Sequence, residues 1–332
     1  MKNTGLIFLL LFLAAANVYF GSVDIPVAAV TDVLCGREVE RQAWHYIIWE
    51  NRIPQTLTAI FSGAGLAAAG LMLQTVFRNP LAGPSILGID GGANLGVALV
   101  MLLFGGTFAA GTFSLSGFVL VIVAAMLGAW AIMAILIAFS HYLRSNTMLL
   151  ITGVMIGYLT SSAISLLNYG ATEEGVRSFM MWGLGSFANV TVDRLPAFIA
   201  SMSVGLALAL LLIKPLNALL LGDSYATNLG IDVRRTRTLL LCATGLLTAT
   251  STAFCGPIAF VGLAVPHIAR MLLSTADHRL LLPATMLTGA CLTLLCNLLS
   301  TIPSQAVIPI NVLTPVLGAP VVIWVILKMK EH

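Results

Sequence analysis

The stretch GDSYATNLGIDVRRTR, from Gly222 to Arg237, separates two apolar runs that are each long enough to cross a bilayer. It contains two aspartates and three arginines, and Gly230 interrupts it. This pattern predicts a short helix, a turn at Leu229–Gly230 and a basic entry into the next helix. The segment is therefore either a folded platform that docks a partner or a solvated loop whose charges orient the chain.

The composition indicates an integral membrane protein. Of the 332 residues, 59% are hydrophobic and 9% are charged, whereas a soluble domain is about 25% charged. The net charge of +3 is small and does not indicate nucleic-acid binding. Four of the five cysteines lie in or beside apolar runs and no CxxC occurs, so neither a disulfide framework nor a metal site is indicated.

The apolar runs predict an all-α integral membrane fold with ten transmembrane helices in a single domain, residues 1–332. A helix needs about 20 apolar residues to span the hydrocarbon, and two runs, 92–105 and 257–269, are short. The first run is interpreted as a retained helix and not as a cleaved signal peptide. The predicted spans are 5–21, 53–77, 92–105, 115–139, 147–169, 195–213, 238–254, 257–269, 280–299 and 308–327.

The distribution of basic residues predicts that both termini are cytoplasmic. Ten crossings place these basic residues inside: Lys2, Arg78, Arg144, Lys214, Arg234, Arg235, Arg237, Arg270, Arg279, Lys328 and Lys330. They place these outside: Arg37, Arg41, Arg52, Arg177 and Arg194. The excess inside has the expected sign, and removing the 257–269 crossing would nearly reverse it. That short segment is therefore predicted to cross, as a broken helix packed within protein.

A weak internal repeat suggests two inverted halves, an architecture found in transporters. Arg52, Thr56, Leu57, Gly63 and Ala67 recur at the same spacing as Arg234, Thr238, Leu239, Gly245 and Ala249. Between the predicted spans, the loop at 22–52 is long and mixed in charge. The segment 170–194 contains FMMWGLGSFANVT at 179–191, which is too short to span the membrane and too apolar for a plain loop. A half-helix at the outer surface is predicted there.

Three stretches have unusual backbone chemistry. SGAGLAAAG at 62–70 predicts close packing between helices. RNPLAGPSILGIDGGA at 78–93 contains two prolines and four glycines, and it is equally compatible with a cytoplasmic turn or a re-entrant piece lining a pore. His267 has no partner at metal-ligand spacing and is interpreted as structural.

The missing motifs limit the function. Asp90 is assigned to the Gly-rich turn, so no charged residue lies inside a predicted span, which disfavours an ion-coupled secondary transporter. The sequence contains no GxxxxGK[ST], HExxH or GxSxG, which argues against ATP binding by a P-loop and leaves an intramembrane enzyme without a catalytic constellation. A pore powered by a partner remains, with the ion-coupled carrier as the alternative.

Four motifs resemble one family over nearly the whole chain. They are RIPQTLTAIFSGAGLAAAGLMLQTVFRNPLAGPSILG at 52–88, LGIDVRRTR at 229–237, GPIAFVGLAVPHIAR at 256–270 and PINVLTPVLGAP at 309–320. The chain is similar to permease subunits of bacterial ABC importers for iron-siderophores, haem and vitamin B12.

The resemblance implies a ten-helix subunit of the bacterial inner membrane. It would form a homodimer, or a pair with a related permease, around a translocation pathway at the dimer interface. Two ABC ATPase subunits would carry the ATP and magnesium, so this chain would hold no cofactor of its own. A substrate-binding protein would deliver the cargo, whose identity stays open.

The resemblance also implies roles for individual residues, none of them catalytic or metal-binding. Residues 222–237 correspond to the paired short helices that dock in a groove of the ATPase. Within them the coupling residues are Gly222, Asp223, Ala226, Leu229, Gly230, Arg234 and Arg235. The cytoplasmic gate corresponds to Asn79, Leu81, Asn146 and Thr147, and Arg52 corresponds to an arginine that docks the binding protein.

The sequence departs from the family pattern at the outer face. Gln55 and Ser300 replace arginines, Asn297 replaces an acid, Val307 replaces a glutamate and Asn311 replaces a glycine. The outer docking surface is therefore expected to be poorer in charge than in the family.

Overall fold

The computed structural model describes residues 2–103, 115–143, 145–301 and 307–329, and regular structure in these residues is helical. A π-helical turn, Ile47–Arg52, leads into the fourth helix, and a 3-10 turn, Phe187–Asn189, follows the eighth. The α-helices are α1 Lys2–Tyr19, α2 Val27–Leu34, α3 Gln42–Tyr46, α4 Ile53–Phe77, α5 Ile89–Leu103, α6 Leu115–Tyr142, α7 Asn146–Gly170, α8 Glu173–Gly183, α9 Leu195–Leu211, α10 Ile213–Leu220, α11 Asp223–Asn228, α12 Val233–Cys255, α13 Val261–Leu273, α14 His278–Thr301 and α15 Ile310–Met329.

Each predicted span overlaps an apolar helix. Among the described residues, five stretches are long and apolar enough to cross a membrane, namely Gln42–Phe77, Phe118–Ser140, Thr147–Gly170, Val233–Cys255 and His278–Thr301. Helices α9 and α10 make a sixth span if they count together, bent by 49°. The helices α1, α5, α13 and α15 are apolar but shorter. Ten crossings and the positions of the termini stay predictions, and Arg144 and Lys330 lie outside the described residues.

Helix α4 lies at the centre of the core, where it packs against α14, α12, α13 and α9. In its apolar stretch 83% of the residues are buried. Small residues bring its neighbours close: a Cβ on Gly63 would overlap the backbone of Gly289, and one on Gly70 would overlap the carbonyl of Gly262. The packing role predicted for 62–70 is therefore confirmed.

The two short predicted spans begin at other residues in the structure. Helix α5 begins at Ile89 and not at residue 92, so Asp90 lies in its first turn and not in the Gly-rich turn. Helix α13 begins at Val261, because Gly256 ends α12 with a positive φ of 78° and the segment 256–260 is not helical. The short segment at 257–269 is thus a stretch of irregular backbone followed by a short helix.

The segments between the spans are folded. Residues 22–52 contain α2 and α3, which pack around a small apolar cluster that includes Val30, Val33 and Ile48. Helix α8 begins at Glu173, where the Thr172 hydroxyl caps it, and it ends at Gly183, so it overlaps only the start of the half-helix predicted at 179–191.

The two repeat segments make the same local contact. The hydroxyl of Thr56 donates to the carbonyl of Arg52 at 2.7 Å, and the hydroxyl of Thr238 donates to the carbonyl of Arg234 at 3.2 Å. The segments lie in and just before α4 and in α12, which pack against each other. The inverted relation between the two halves stays a prediction.

Candidate functional site

The stretch 222–237 is a folded unit. Helix α11 ends at a left-handed glycine, Gly230, with φ 79°. The Ile231 N–H donates to the Ala226 carbonyl at 3.0 Å and the Gly230 N–H to the Thr227 carbonyl at 2.9 Å, which is the Schellman arrangement of a helix end. Asp232 then caps α12 by accepting the Arg235 N–H at 3.0 Å. The predicted helix, turn and basic helix start are confirmed.

The outward surface of this unit is both apolar and basic. Tyr225 is 49% exposed and Leu229 is 57% exposed, and Arg234 and Arg235 are exposed beside them. Ala226 is fully buried, so in this structure that predicted coupling residue packs inside and presents no side chain to a partner. The stretch also holds only one complete short helix, because its companion, α10, lies just before it.

Asp223 faces the membrane helices. Its carboxylate accepts from the Arg78 guanidinium at 2.9 Å and from the Arg237 guanidinium at 3.3 Å. Arg78 follows Phe77, the last residue of α4, and caps the helix with a left-handed backbone of φ 46°. The structure thus joins the predicted coupling stretch to the start of the predicted gate.

The predicted gate residues Asn79 and Leu81 lie in a tight turn after Arg78. The Oδ1 atom of Asn79 accepts the Leu81 N–H at 2.9 Å, and Leu81 is 40% exposed. His267 donates from Nε2 to the Pro80 carbonyl at 2.8 Å. This contact confirms the structural interpretation of His267.

A second polar cluster joins α10 to the same end of α4. The Oδ1 atom of Asn217 accepts from the backbone N–H and from Nδ1–H of His278, both at 2.8 Å. The Nε2 atom of His278 lies 2.9 Å from the hydroxyl of Thr75. Asn217 also donates to Asp277. A hydrogen bond from the Arg279 N–H, followed by that from Asn217, holds the pKa of the exposed Asp277 below its usual value.

The irregular stretch after α4 borders two cavities, the larger of which is open to the surface. A cavity of about 430 Å³ lies between this stretch and α7, and another of about 180 Å³ lies between this stretch and the segment 256–260. Both are lined by Ser85, Ile86, Asp90 and Ala259. Asp90 is buried and accepts from the hydroxyls of Ser85 at 2.5 Å and Thr252 at 3.0 Å. Of the two alternatives for 78–93, these cavities favour the one that lines a pathway.

The second pair of predicted gate residues lies at the start of α7. Thr147 is exposed. Asn146 is the first residue of the helix, and its side chain lies outside the described part of the chain. Within the described residues, no hydrogen bond or ion pair joins Thr147 to Asn79 or Leu81.

Arg52 is used inside the chain. It is 6% exposed, and its guanidinium donates to the carbonyls of Val18 at 2.9 Å, Tyr19 at 2.8 Å and Val23 at 2.5 Å. It therefore binds the end of α1 and the loop that follows. Docking of a binding protein by Arg52 stays a prediction, and the guanidinium would have to leave these carbonyls to make that contact.

Two of the residues that depart from the family pattern, Gln55 and Asn297, form a hydrogen bond with each other. Gln55 donates to Asn297 at 2.9 Å, and Asn297 donates to Asn17 at 2.8 Å. Asn311 accepts the Ala259 N–H at 3.1 Å and donates to the Gly183 carbonyl at 3.3 Å. The replacements at 55 and 297 thus form one uncharged contact between α4 and α14, which sequence spacing alone could not reveal.

Comparison with known proteins agrees with this arrangement. The family profile described as the FecCD transport family matches residues 8–328. The chain belongs to the FecCD transport family. Within that family it is 39% identical to the vitamin B12 import system permease protein BtuC of Klebsiella pneumoniae, over 85% of this chain and 83% of the relative. It is 35% identical to the hemin transport system permease protein HmuU of Yersinia pestis, over 98% of this chain and 95% of the relative.

A solved structure supports the membership of this FecCD chain. It is that of a metal-chelate type ABC transporter in an inward-facing conformation, and it matches with a TM-score of 0.84 and 33% sequence identity. The match covers 98% of each chain. The described helices thus have the arrangement of a transporter subunit.

Proposed function

We propose that this FecCD chain is the permease subunit of an ATP-driven importer for a metal chelate such as cobalamin, haem or a ferric siderophore. All ten apolar helices cross the bacterial inner membrane as one domain, and both termini are cytoplasmic. ATP and magnesium bind to two separate ABC ATPase subunits, and a substrate-binding protein delivers the cargo from outside. The chain itself carries out transport and no catalysis.

The observation that carries the proposal is the exposed surface of 222–237. Tyr225 and Leu229 are about half exposed, and Arg234 and Arg235 of the same stretch are exposed as well. Tyrosine and arginine are enriched among the residues that dominate protein interfaces. A solvated loop does not need a Schellman turn and a capped helix to carry charge, so the folded unit favours docking of an ATPase.

The exposed face of α7 supports a pathway between two copies of this chain or between related permeases. Only 17% of the residues in its apolar stretch are buried. The exposed residues include Tyr158, Ser161, Ser162 and Ser165, and hydroxyl groups suit a polar passage better than lipid. Helix α7 also lines the larger cavity, so a second subunit against this face would close the passage.

Asp90 affects the argument against an ion-coupled carrier. The sequence argument relied on the absence of a carboxylate inside the helices, and Asp90 is a buried carboxylate in the first turn of α5. That argument therefore loses its premise. Membership of the FecCD family and the docking surface support the ATP-driven importer instead.

Reconstitution tests the function. The chain is placed in liposomes with its ATPase and binding protein, and uptake of cyanocobalamin, haemin and a ferric hydroxamate siderophore is measured. We expect uptake of one class only when ATP and the ATPase are present. Uptake that follows a proton or sodium gradient without the ATPase would refute the proposal.

A further inference from the structure

The last turn of α4 lies between the exposed surface of 222–237 and the predicted gate residues Asn79 and Leu81. Asn79 and Leu81 follow this turn directly, and Asp223 lies in the first turn of α11. The Arg78 side chain connects the two by its 2.9 Å contact with Asp223. Because Arg78 precedes Asn79 in the chain, a displacement of α11 reaches the gate turn through a single side chain.

A second contact reaches the same turn from α10. Asn217 of α10 holds the His278 ring through Nδ1, and the other ring nitrogen lies 2.9 Å from the Thr75 hydroxyl. Thr75 is buried in the last turn of α4, and His278 is buried as well. The helices on both sides of Gly222 thus attach to one turn of α4.

The turn that contains Asn79 and Leu81, here called the gate turn, has little freedom to move separately from α4. The Asn79 N–H donates to the Gln74 carbonyl at 3.2 Å, across the left-handed Arg78. Helix α13 contacts both parts. Its Arg270 donates to the Gln74 side chain at 2.6 Å, and its His267 donates to the Pro80 carbonyl. A rotation of the last turn of α4 would therefore carry the following turn with it.

We propose that the last turn of α4 transmits to Leu81 the motion of the ATPase-bound stretch 222–237 and of the adjoining α10, through two attachments, Arg78–Asp223 and Thr75–His278–Asn217. The proposal rests on the proposed function and extends it, because it assigns Arg78 and Asn217 as positioning residues. Neither residue is assigned to contact the cargo or the ATPase.

The experiment measures the gate directly. A Leu81→Cys chain with Cys35→Ser is assembled with its ATPase, and the labelling rate by a membrane-impermeant maleimide is compared with and without ATP. We expect ATP to change the rate in this parent chain. Arg78→Gln and Asn217→Ala should each reduce that change, and in the double variant the two rates should become equal while the ATPase still co-purifies.

Arg237→Gln is the matched comparison. It removes an arginine from the same Asp223 carboxylate but leaves both attachments to α4, so the response to ATP should persist. The side chains of Arg78 and Asp223 are 47% and 45% exposed, and an ion pair that exposed contributes little to stability. The Arg78 variant should therefore still fold.

Two results would overturn the proposal. One is a full response to ATP in the double variant. The other is equal loss in Arg78→Gln and Arg237→Gln, which would mean that Asp223 only stabilises the platform. A parent chain that binds no ATPase at all would refute the proposed function, and this proposal with it.

Discussion

Gly230→Val tests whether the fold of 222–237 matters for docking. Gly230 has φ 79°, and a Cβ placed there would meet nothing within 4 Å. The substitution therefore creates no clash, and its cost is the left-handed backbone alone, roughly 1–2 kcal/mol for a residue with a Cβ. Relaxation of the turn would break the two Schellman hydrogen bonds to Ala226 and Thr227 and displace Leu229.

The expected effect is on affinity for the ATPase. If docking requires the turn, the 1–2 kcal/mol is lost from binding, and the dissociation constant rises roughly 5- to 30-fold. The measurement is the affinity of the purified permease in nanodiscs for its ATPase, with membrane insertion followed in parallel. Insertion should be unchanged, because the strain is confined to an exposed turn.

Two control variants separate docking from general strain. Gly230→Asn should bind nearly normally, since asparagine tolerates the left-handed region. Gly36 has φ 71° and equally open surroundings in the segment before α3, so Gly36→Val carries the same backbone cost far from 222–237. Normal affinity in Gly230→Val, or equal weakening in Gly36→Val, would refute the reasoning.

Other substitutions test the remaining assignments. In a chain with Cys35→Ser, a cysteine placed at Ser224 should be labelled only from the cytoplasm. One placed at Glu173 should be labelled only from outside. Labelling of both from the same side would exclude ten crossings. Leu81→Ala should raise the leak of cargo measured in liposomes without ATP. An unchanged leak would mean that the turn after α4 is only structural. Arg52→Gln should lower the melting temperature of the isolated permease, because three carbonyls lose a charged donor; unchanged melting with weaker binding-protein affinity would restore the docking role. Gly70→Leu should destabilise the permease by about 1–3 kcal/mol through overpacking, and an unchanged melting temperature would contradict the close contact with α13.

Features encoded locally could be predicted from the sequence. The Gly230 turn follows from a glycine between a short polar helix and a basic helix start. The small residues at 62–70 predicted close helix packing before any partner helix was known. The length of each apolar run was enough to locate the predicted spans, because helices buried in protein and helices exposed to lipid are both rich in apolar residues.

Features that depend on neighbouring segments could not be predicted. In the sequence Arg52 resembles an exposed charge that flanks a span. In the structure it is buried and donates to carbonyls at the end of α1. Ala226 lies in an exposed helix, and only the packing of α11 shows that it faces inward. The start of α5 was misplaced because the glycines around Asp90 obscure the boundary, although an acid at the start of an apolar run is a known helix-start signal.

The burial of α4 has a consequence for how the chain is made. The peripheral helices have few buried residues, 28% in the apolar stretch of α6 and 17% in that of α7, and can enter lipid as they emerge from the ribosome. Helix α4 emerges early, but Gly289 of α14, against which Gly63 packs, is synthesised more than 200 residues later. At bacterial synthesis rates that interval is roughly 10–50 s. During that time the side of α4 that contains Gly63 must be shielded by lipid, by its neighbours or by the insertion machinery.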